Sequence, residues 1–236
     1  MCGRYENAVN KEELDEIFSR YIGKLKIDYD IDEVFKEENI APTDRIKVIV
    51  LEDNVFKVKA MKWGIRSKIF DPKRKLKGLD PEFERDVFNS RTDTVINPKR
   101  TNDWQEAFTE QKCLIPLTAF YEWPAMNKKE PLRISLDNEK VFFTGGFYKK
   151  DIKGETGASI LTCPPNHFMS PLHDRMPVIF RAEIAGGYLK LPHELAASMC
   201  NTPDESVKMC SEVAELLITK PKVTKKVKPE EPLTLF

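Results

Sequence analysis

The sequence CLIPLTAFYEW, residues 113–123, is strongly apolar and is interrupted by one carboxylate, Glu122. Its length and its apolar and aromatic content predict a strand of the core. A carboxylate between Tyr121 and Trp123 loses hydration free energy unless it is hydrogen-bonded or faces a cleft, and such desolvation raises the carboxyl pKa. This stretch therefore predicts a core strand and, on the same strand, a candidate group for proton transfer.

Helices are predicted near both ends of the chain. Apolar side chains recur at helical spacing over residues 10–22, and Asn10 with Glu13 forms a capping box at its start. A second helix is predicted over residues 192–200. A third is predicted over residues 202–218, because it opens with an N-cap threonine followed by a proline.

β-rich runs fill the middle of the chain. Two pairs of runs flank short polar turns and predict hairpins, one over residues 47–63 and one over residues 133–147. Further strands are predicted over residues 158–163 and 177–180. With the helices, these strands predict an α+β fold, a single domain whose largely antiparallel, barrel-like β-sheet curls on itself between flanking helices.

Composition limits the classes of function. The 236 residues include 38 Lys and Arg against 38 Asp and Glu, so no global basic field marks the chain and any polyanion site must be local. No apolar run approaches membrane-spanning length, and no hydrophobic signal segment stands at the start. We therefore expect a cytoplasmic protein that makes no membrane contact and is a monomer.

The chain shows no low-complexity linker, so we predict one domain over residues 1–236, with a helical segment over 181–218 and a basic tail over 219–236. Its five cysteines are too scattered for a disulfide framework. Neither a C-x-x-C pair nor a second histidine cluster has zinc spacing, so neither a metal nor a cofactor is predicted. Packing roles are predicted for four of the cysteines: Cys113, Cys163, Cys200 and Cys210.

The chain begins Met1-Cys2-Gly3-Arg4. If Met1 is removed, Cys2 carries a free α-amine and a thiol on adjacent carbons, and the two can close a thiazolidine ring on one aldehyde carbon. The same start suits a glutamine amidotransferase, in which Cys2 would attack a side-chain amide. A third alternative is a non-catalytic module that binds single-stranded or modified DNA and leaves Cys2 inert.

Two further segments carry polar residues that packing does not require. Asn89 and Arg91 stand two apart, so in an extended strand they face the same side. His173 lies in a loop before an apolar strand, and an unperturbed histidine titrates near physiological pH. Each residue taken alone has a structural explanation, and together they indicate a site.

These segments resemble the SOS response-associated peptidase family of abasic-site processing proteins. The resemblance keeps the family's order over residues 1–180, and it departs from the family where Ile65–Phe70 replaces a proline and a second tryptophan and where Asp93 replaces a glutamate. The matching segments are MCGRY (1–5), NIAP (39–42), KWG (62–64), FNSR (88–91), CLIPLTAFYEW (113–123) and LHDRMPVI (172–179).

The resemblance implies an abasic-site sensor in single-stranded DNA that forms a covalent thiazolidine crosslink through Cys2 once Met1 is removed, either by self-processing or by an aminopeptidase. It also implies self-processing peptidase and lyase-type activity. The implied catalytic residues are Cys2, Asn89, Glu122 and His173. The implied DNA-binding residues are Arg4, Asn39, Pro42, Trp63, Arg91 and Arg175. Among these we expect the arginines to hold flanking phosphates and Trp63 to receive an unstacked base.

Overall fold

A computed structural model describes residues 3–21, 27–30, 37–96, 103–124, 127 and 129–215. Its helices are α1 (Lys11–Tyr21), α2 (Pro72–Lys75), α3 (Thr92–Val95), α4 (Asp103–Glu110), α5 (Ala182–Lys190) and α6 (His193–Met199). Its strands are β1 (Arg4–Glu6), β2 (Ile27–Asp30), β3 (Arg45–Glu52), β4 (Val55–Trp63), β5 (Ile65–Phe70), β6 (Glu82–Val87), β7 (Asn89–Arg91), β8 (Lys112–Leu117), β9 (Ala119–Glu122), β10 (Leu132–Leu136), β11 (Phe142–Lys150), β12 (Thr156–Cys163), β13 (Met176–Pro177), β14 (Ile179–Phe180) and β15 (Met209–Val213). None of the helices in these ranges has the length and apolar character needed to span a membrane.

Five strands close into a barrel, which confirms the predicted α+β fold with a curled sheet and flanking helices. Around the ring, β12 pairs with β11, β11 with β8, β8 with β3 and β3 with β4. These pairings are antiparallel, whereas the last one, of β4 with β12, is parallel and completes the ring. Closure buries the inward side chains of all five strands in one hydrophobic core.

The parallel seam of the barrel depends on two glycines. Gly64 has a φ of 125° and its N–H donates to the carbonyl oxygen of Ala158 at 2.8 Å. A Cβ on Gly157 would lie 2.2 Å from the carbonyl oxygen of Gly64, inside any allowed contact. The chain can close the barrel here because neither position carries a side chain.

The helix α1 confirms the amphipathic helix predicted over residues 10–22. Asn10 and Glu13 exchange the hydrogen bonds of a capping box, with the Glu13 N–H donating to Asn10 Oδ1 at 2.9 Å and the Asn10 N–H to Glu13 Oε2 at 3.0 Å. Phe18 lies on the buried face of the helix and packs edge-on against Phe56 and Phe143 of the barrel. Burial of this face fixes the helix against the sheet.

The predicted hairpin over residues 47–63 is present as β3 and β4. Asp53 and Asn54 form its two-residue turn, and both have positive φ values, 51° and 60°. This is the conformation that a tight β-hairpin requires and that Asp and Asn tolerate. The strands predicted over residues 158–163 and 177–180 and the helix over 192–200 are also present, as β12, β13 with β14, and α6.

The predicted hairpin over residues 133–147 is wrong in its pairing, although both strands form. β11 enters the barrel between β8 and β12, whereas β10 joins a second sheet with the order β1-β9-β10-β15. The patterns differ accordingly: LRISL of β10 alternates apolar and polar residues, and FFTGG of β11 is buried throughout. A half-exposed strand and a fully buried strand belong to different layers.

The helix predicted over residues 202–218, and with it the end of the helical segment 181–218, is wrong. Thr202 caps no helix and instead donates its hydroxyl to the carbonyl oxygen of Pro164 at 2.8 Å. Asp204 closes a turn by accepting the N–H of Ser206 at 2.8 Å. The chain then forms β15 on the open edge of β10, where strand pairing overrides the local helix signal. Residues 216–236, including the predicted basic tail, lie outside the described residues.

Candidate active site

The stretch 113–123 crosses from one sheet to the other and places Glu122 at the end of the second. Its first half is β8 of the barrel, and its second half is β9 of the second sheet. At the crossing, the Thr118 N–H donates to the carbonyl oxygen of Glu6 at 2.9 Å. β9 then runs between β1 and β10, with Tyr121 opposite Arg4 and Glu122 opposite Leu132.

Glu122 is buried, as its apolar surroundings predict. Its residue surface is 3% exposed. Burial raises the pKa of Glu122, while the positive potential of His173 acts in the opposite direction. Because His173 acts electrostatically on Glu122, the fold places these two predicted residues near each other, although they are far apart in the sequence. A carboxyl whose pKa is raised by burial is a candidate for proton transfer.

The predicted nucleophile, Cys2, lies outside the described residues. Gly3, to which it is bonded, directly precedes β1. β1 is antiparallel to β9, with Arg4 opposite Tyr121, so its N-terminal end lies at the end of β9 that carries Glu122. The strand that follows Cys2 is therefore anchored beside the buried carboxyl.

A buried ion pair holds β1 in this position. The carboxylate of Glu6 accepts hydrogen bonds from Arg133 Nε and Nη2 at 2.9 and 2.8 Å. It also accepts from the hydroxyls of Thr118 at 2.7 Å and Tyr121 at 3.0 Å. Burial alone would raise the pKa of Glu6, but the hydrogen bonds from Arg133 and the two hydroxyls outweigh it and lower the pKa. Glu6 therefore stays ionised and ties β1 to β9 and β10.

Sequence reasoning missed this network. Glu6 and Arg133 are 127 residues apart in the sequence. Each, taken alone, looks like an ordinary charged residue at the edge of a strand. The available signal was the position of Glu6 between Tyr5 and Asn7 in a short strand, and the structure buries both of these neighbours. That signal indicates a buried carboxylate, and it does not identify the cation that neutralises it.

Asn89 and Arg91 lie on β7, which pairs in parallel with β12. Ser90 between them faces the interior, and its hydroxyl lies 2.8 Å from that of Ser159. Asn89 and Arg91 therefore share the opposite side of the strand, as their spacing predicts. Asn89 lies opposite Ile160 of β12, and Arg91 lies opposite Thr162, nearer the end of β12 from which the chain leads to His173.

Trp63 does not occupy the predicted position on the DNA surface. Its residue surface is 0% exposed, and its ring packs edge-on against Tyr5 and Phe88 at centroid distances of 5.1 and 6.2 Å. The indole Nε1 donates to the carbonyl oxygen of Phe88 at 2.9 Å. A buried indole cannot stack on a base, so that part of the prediction is wrong. Trp63 instead fixes the backbone next to Asn89.

His173 lies in the loop between β12 and β13. Its Nδ1 accepts the backbone N–H of Arg175 at 3.0 Å and lies 2.8 Å from Asp174 Oδ1. The first contact suits a neutral imidazole, and the second suits an imidazolium that donates to the carboxylate. The two contacts of Nδ1 fix the position of the imidazole in the loop.

Arg91 and Arg175 meet at Asp93. Arg91 donates to both Asp93 oxygens through Nε at 3.1 Å and Nη2 at 2.8 Å, and these bonds raise the pKa of Arg91. Arg175 Nη2 lies 3.5 Å from Asp93 Oδ1 and also donates to the carbonyl oxygen of Thr162. Arg91 is exposed and Arg175 is buried, so the two have different access to a ligand. Asp174 also acts electrostatically on both arginines, so the two cations are balanced by two carboxylates.

Arg4 of β1 contacts Asn39, which belongs to the segment on the edge of β1 that faces away from β9. Arg4 Nη1 donates to Asn39 Oδ1. Asn39 has a positive φ of 51° and precedes Ile40, which pairs with Tyr5 through two backbone hydrogen bonds. Pro42 follows in the same turn and is partly exposed. Arg4, Asn39 and Pro42 therefore form a second group, which flanks β1.

The cysteines in the described ranges differ in their surroundings. Cys113, Cys163 and Cys200 are buried, and burial raises the pKa of Cys163 to about 11 and that of Cys200 to about 12. These three have the packing role that the sequence predicts. Cys210 is exposed on β15, so the same prediction is wrong for it.

Known proteins and solved structures resemble the chain over most of its length. It is 26% identical over 191 residues to abasic site processing protein YoaM of Bacillus subtilis, covering 76% of this chain and 74% of the relative. It is 28% identical over 195 residues to abasic site processing protein YoqW of the same organism, covering 78% and 77%. A Bacteroides thetaiotaomicron crystal structure matches with a TM-score of 0.66 at 21% identity, covering 90% of this chain and 91% of that one.

A Bordetella bronchiseptica crystal structure matches with the same TM-score of 0.66 at 16% identity, covering 91% of this chain and 100% of that one. At such identities the two structures support the fold alone. The family defined as SOS response associated peptidase (SRAP) matches residues 1–220, nearly the whole chain. The chain belongs to the SOS response associated peptidase family.

Proposed function

We propose that this protein captures abasic sites in single-stranded DNA by a covalent crosslink to Cys2. The observation that carries the proposal is the pair of Glu122 and His173 at the N-terminal end of β1. Glu122 is buried with a raised pKa, His173 acts on it electrostatically, and β1 continues directly from Cys2. Family membership and the abasic site processing relatives support the same substrate.

The reaction uses both nucleophiles of Cys2. The α-amine, with an ordinary pKa of about 8, adds as the free base to the aldehyde carbon of the ring-opened sugar. The resulting carbinolamine loses one water and forms an imine. The thiol then adds across the carbon–nitrogen double bond: a carbon–sulfur bond forms and the proton passes to nitrogen. The product is a thiazolidine, and the net reaction releases one water.

Each of the three residues has a distinct part in these steps. Glu122 donates a proton during sugar ring opening and to the departing water, because its raised pKa keeps the acid form available. His173 exchanges protons with the sugar hydroxyl or the carbinolamine, which its two Nδ1 contacts allow. Asn89 positions the N-terminal residue from β7.

The DNA backbone binds at two groups of cationic side chains. Arg91, held by Asp93 and exposed, meets phosphates on one side, and Arg4 beside Asn39 meets them on the other. Arg175 is mostly buried and supports Arg91 through the shared Asp93. The chain has no net charge, so affinity depends on these local contacts and falls steeply with added salt.

Free Cys2 requires removal of Met1, and we propose that the same site performs this self-processing. Glu122 and His173 would activate the Cys2 thiol toward the preceding peptide bond. A lyase-type reaction follows from the imine: the iminium makes the C2′ hydrogen acidic, a base of the site removes this proton, and the C2′–C3′ double bond forms as the 3′ phosphate leaves. The protein acts as a monomer, since each step uses residues of one chain.

Denaturing gels test the proposal. Purified protein is mixed with a single-stranded oligonucleotide that contains one abasic site, and the heat-stable protein–DNA band is followed with time. We expect a band for the native sequence and none for Cys2→Ala. Once an aminopeptidase has removed Met1, Cys2→Ala and Cys2→Ser both keep the α-amine and lack the thiol, so each is expected to give only a labile imine that sodium borohydride traps.

Two outcomes would contradict the proposal. One is a heat-stable crosslink with Cys2→Ala, which would move the nucleophile elsewhere. The other is release of ammonia from glutamine by the native protein, which would support the amidotransferase alternative. An unmodified oligonucleotide of the same sequence serves as the matched control, because it offers the same phosphates and no aldehyde.

A further inference from the structure

A two-stranded arm, residues 65–87, extends from the site and differs from the rest of the chain in charge. It comprises β5, α2 and β6, and β5 pairs only with β6 among the described strands. The whole arm has seven cationic and five acidic side chains, a net charge of +2 in a chain with no net charge, and five of the cations lie within residues 68–77 beside a single carboxylate. The arm is therefore a local basic field of the kind that a neutral protein needs for a polyanion.

The base of the arm is fixed to the barrel. Ile65 is buried, and the N–H of Ile152 donates to the carbonyl oxygen of Arg66 at 3.2 Å. Asp86 binds Arg66 at 3.0 Å and Lys62 at 2.8 Å, which ties both strands to the end of β4. These contacts give the arm a defined direction from the barrel.

The tip of the arm is ordered by its own contacts. Asp71 caps α2 by accepting the N–H of Lys73 at 3.0 Å. Arg74 lies 4.1 Å above the ring of Phe83, and its Nε donates to the carbonyl oxygen of Asp80 at 2.8 Å. One cation is therefore used internally, and the remaining cations are left to solvent.

The outward surface of the tip combines lysines with an exposed aromatic ring. Lys73, Lys75 and Lys77 are exposed, and they make no ion pair with any carboxylate in the described part of the chain. Phe70 is 66% exposed at the end of β5. An exposed ring beside several cations suits a single strand, in which bases stack on the ring and phosphates meet the cations.

The arm is joined to the site at both ends. Trp63, which supports the backbone at Phe88, lies two residues before β5, and Asn89 lies two residues after β6. The six residues of β5 span about 20 Å at about 3.3 Å per residue. A stacked strand rises about 3.4 Å per nucleotide, so the length of β5 corresponds to about six nucleotides.

We propose that the arm is a second binding surface for the single strand that flanks the abasic nucleotide, with Phe70 as a stacking platform and Lys73, Lys75 and Lys77 as phosphate contacts. This inference rests on the proposed function, and it adds the nucleotides on one side of the abasic site to the length of DNA that the protein contacts. The arm supplies affinity for long strands and takes no part in the reaction at Cys2.

The test measures equilibrium binding to strands of two lengths, about 7 and about 21 nucleotides, each with a central tetrahydrofuran analogue that cannot react. We expect the longer strand to bind the native protein at least about tenfold more tightly, and K73Q/K75Q/K77Q to lose most of this gain. The salt dependence on the long strand should fall by a slope of about 2, or about 0.7 for each lost contact. Phe70→Ala should cost roughly tenfold on the long strand alone.

The matched control is K11Q/K190Q/K208Q, which removes three exposed lysines from other elements and should retain the full gain in affinity. Equal length gains for the native protein and the arm variant would overturn the inference, as would a gain that requires the added segment to be double-stranded. Crosslinking to the 7-nucleotide abasic strand tests the proposed function separately. Both the native protein and the arm variant should react with it at the same rate.

Discussion

Glu6 and Glu122 are two buried carboxyl groups on neighbouring strands, and their surroundings shift their pKa values in opposite directions. Glu6 on β1 faces Arg133 and two hydroxyls, and its pKa is lowered. Glu122 on β9 is governed by desolvation, and its pKa is raised. Tyr121 directly precedes Glu122 in the chain, and its hydroxyl donates a hydrogen bond to Glu6. Burial alone therefore does not mark a functional carboxylate.

The difference lies in what surrounds each group. A guanidinium that donates two hydrogen bonds stabilises an ionised carboxylate even where water is excluded. Glu6 has this partner and so acts as an anchor of β1. Glu122 has the electrostatic effect of His173 without an arginine fork, so its proton is available for exchange. One carboxyl holds the strand that follows Cys2, and we propose that the other acts on the substrate.

Replacement of Glu122 is expected to have the largest effect. Glu122→Gln keeps the shape of the side chain but removes its proton exchange, so crosslinking to an abasic oligonucleotide should slow by about 10²- to 10⁴-fold. The rate is measured from single-turnover gel time courses. An unchanged rate would show that Glu122 has no part in the chemistry.

Replacement of Glu6 should act on stability. Glu6→Gln removes the buried carboxylate of the Arg133 pair and leaves Arg133 only the exposed Glu212, at 3.2 Å, so the free energy of unfolding should fall by about 2–3 kcal/mol, a low value for such a pair because Arg133 is partly exposed. Urea titrations measure this change. Glu122→Gln is the matched control and should leave the free energy unchanged or raise it, since it removes a desolvated group. A larger loss for Glu122→Gln than for Glu6→Gln would reverse our assignment.

Acidification should separate the two carboxyl groups by sign. The folded pKa of Glu6 is lowered, so its stabilisation is present above the unfolded pKa of about 4.3 and is lost as the pH falls through the folded value. The folded pKa of Glu122 is raised, so its destabilisation develops as the pH rises above about 4.3 and is absent below it.

Unfolding free energies at pH 7 and at about pH 4 test these signs. The stability advantage of the native protein over Glu6→Gln should shrink on acidification. At pH 7 the native protein should be less stable than Glu122→Gln, and this difference in the free energy of unfolding should also shrink on acidification. Two differences of equal sign at pH 7 would contradict the comparison.

Tyr121→Phe should give the smallest effect. It removes one of the hydrogen bonds to Glu6 and keeps the ring in the core, so the free energy of unfolding should fall by about 1–2 kcal/mol. The crosslinking rate should remain within about twofold of the native rate, because the Arg133 pair still anchors β1. A tenfold slower reaction with unchanged stability would place Tyr121 in the chemistry.

Local features of the sequence predicted much of the fold. The capping box of Asn10 and Glu13, the Asp53-Asn54 turn and the burial of Glu122 each depend on residues within a few positions of one another. The prediction failed where partners are distant. Nothing in the segment after Thr202 indicates that β10 offers an open edge, and nothing near Glu6 identifies Arg133.

The candidate site divides in the same way. Side-chain chemistry and the family resemblance selected Glu122 and His173, and in the structure His173 interacts electrostatically with Glu122. The role expected of Trp63 failed because exposure depends on tertiary packing, and here Tyr5 and Phe88 enclose the indole. A conspicuous aromatic residue next to a glycine can serve the core as readily as it serves a ligand.

The intact mass of the purified protein, before and after incubation with a single-stranded abasic oligonucleotide, tests the central claim most directly. Our account predicts a protein that lacks Met1 and then gains the mass of the oligonucleotide less one water. The adduct should be absent with Cys2→Ala. A protein that retains Met1 and still forms the adduct, or one that lacks Met1 and forms none, would contradict capture through the free amine and thiol of Cys2.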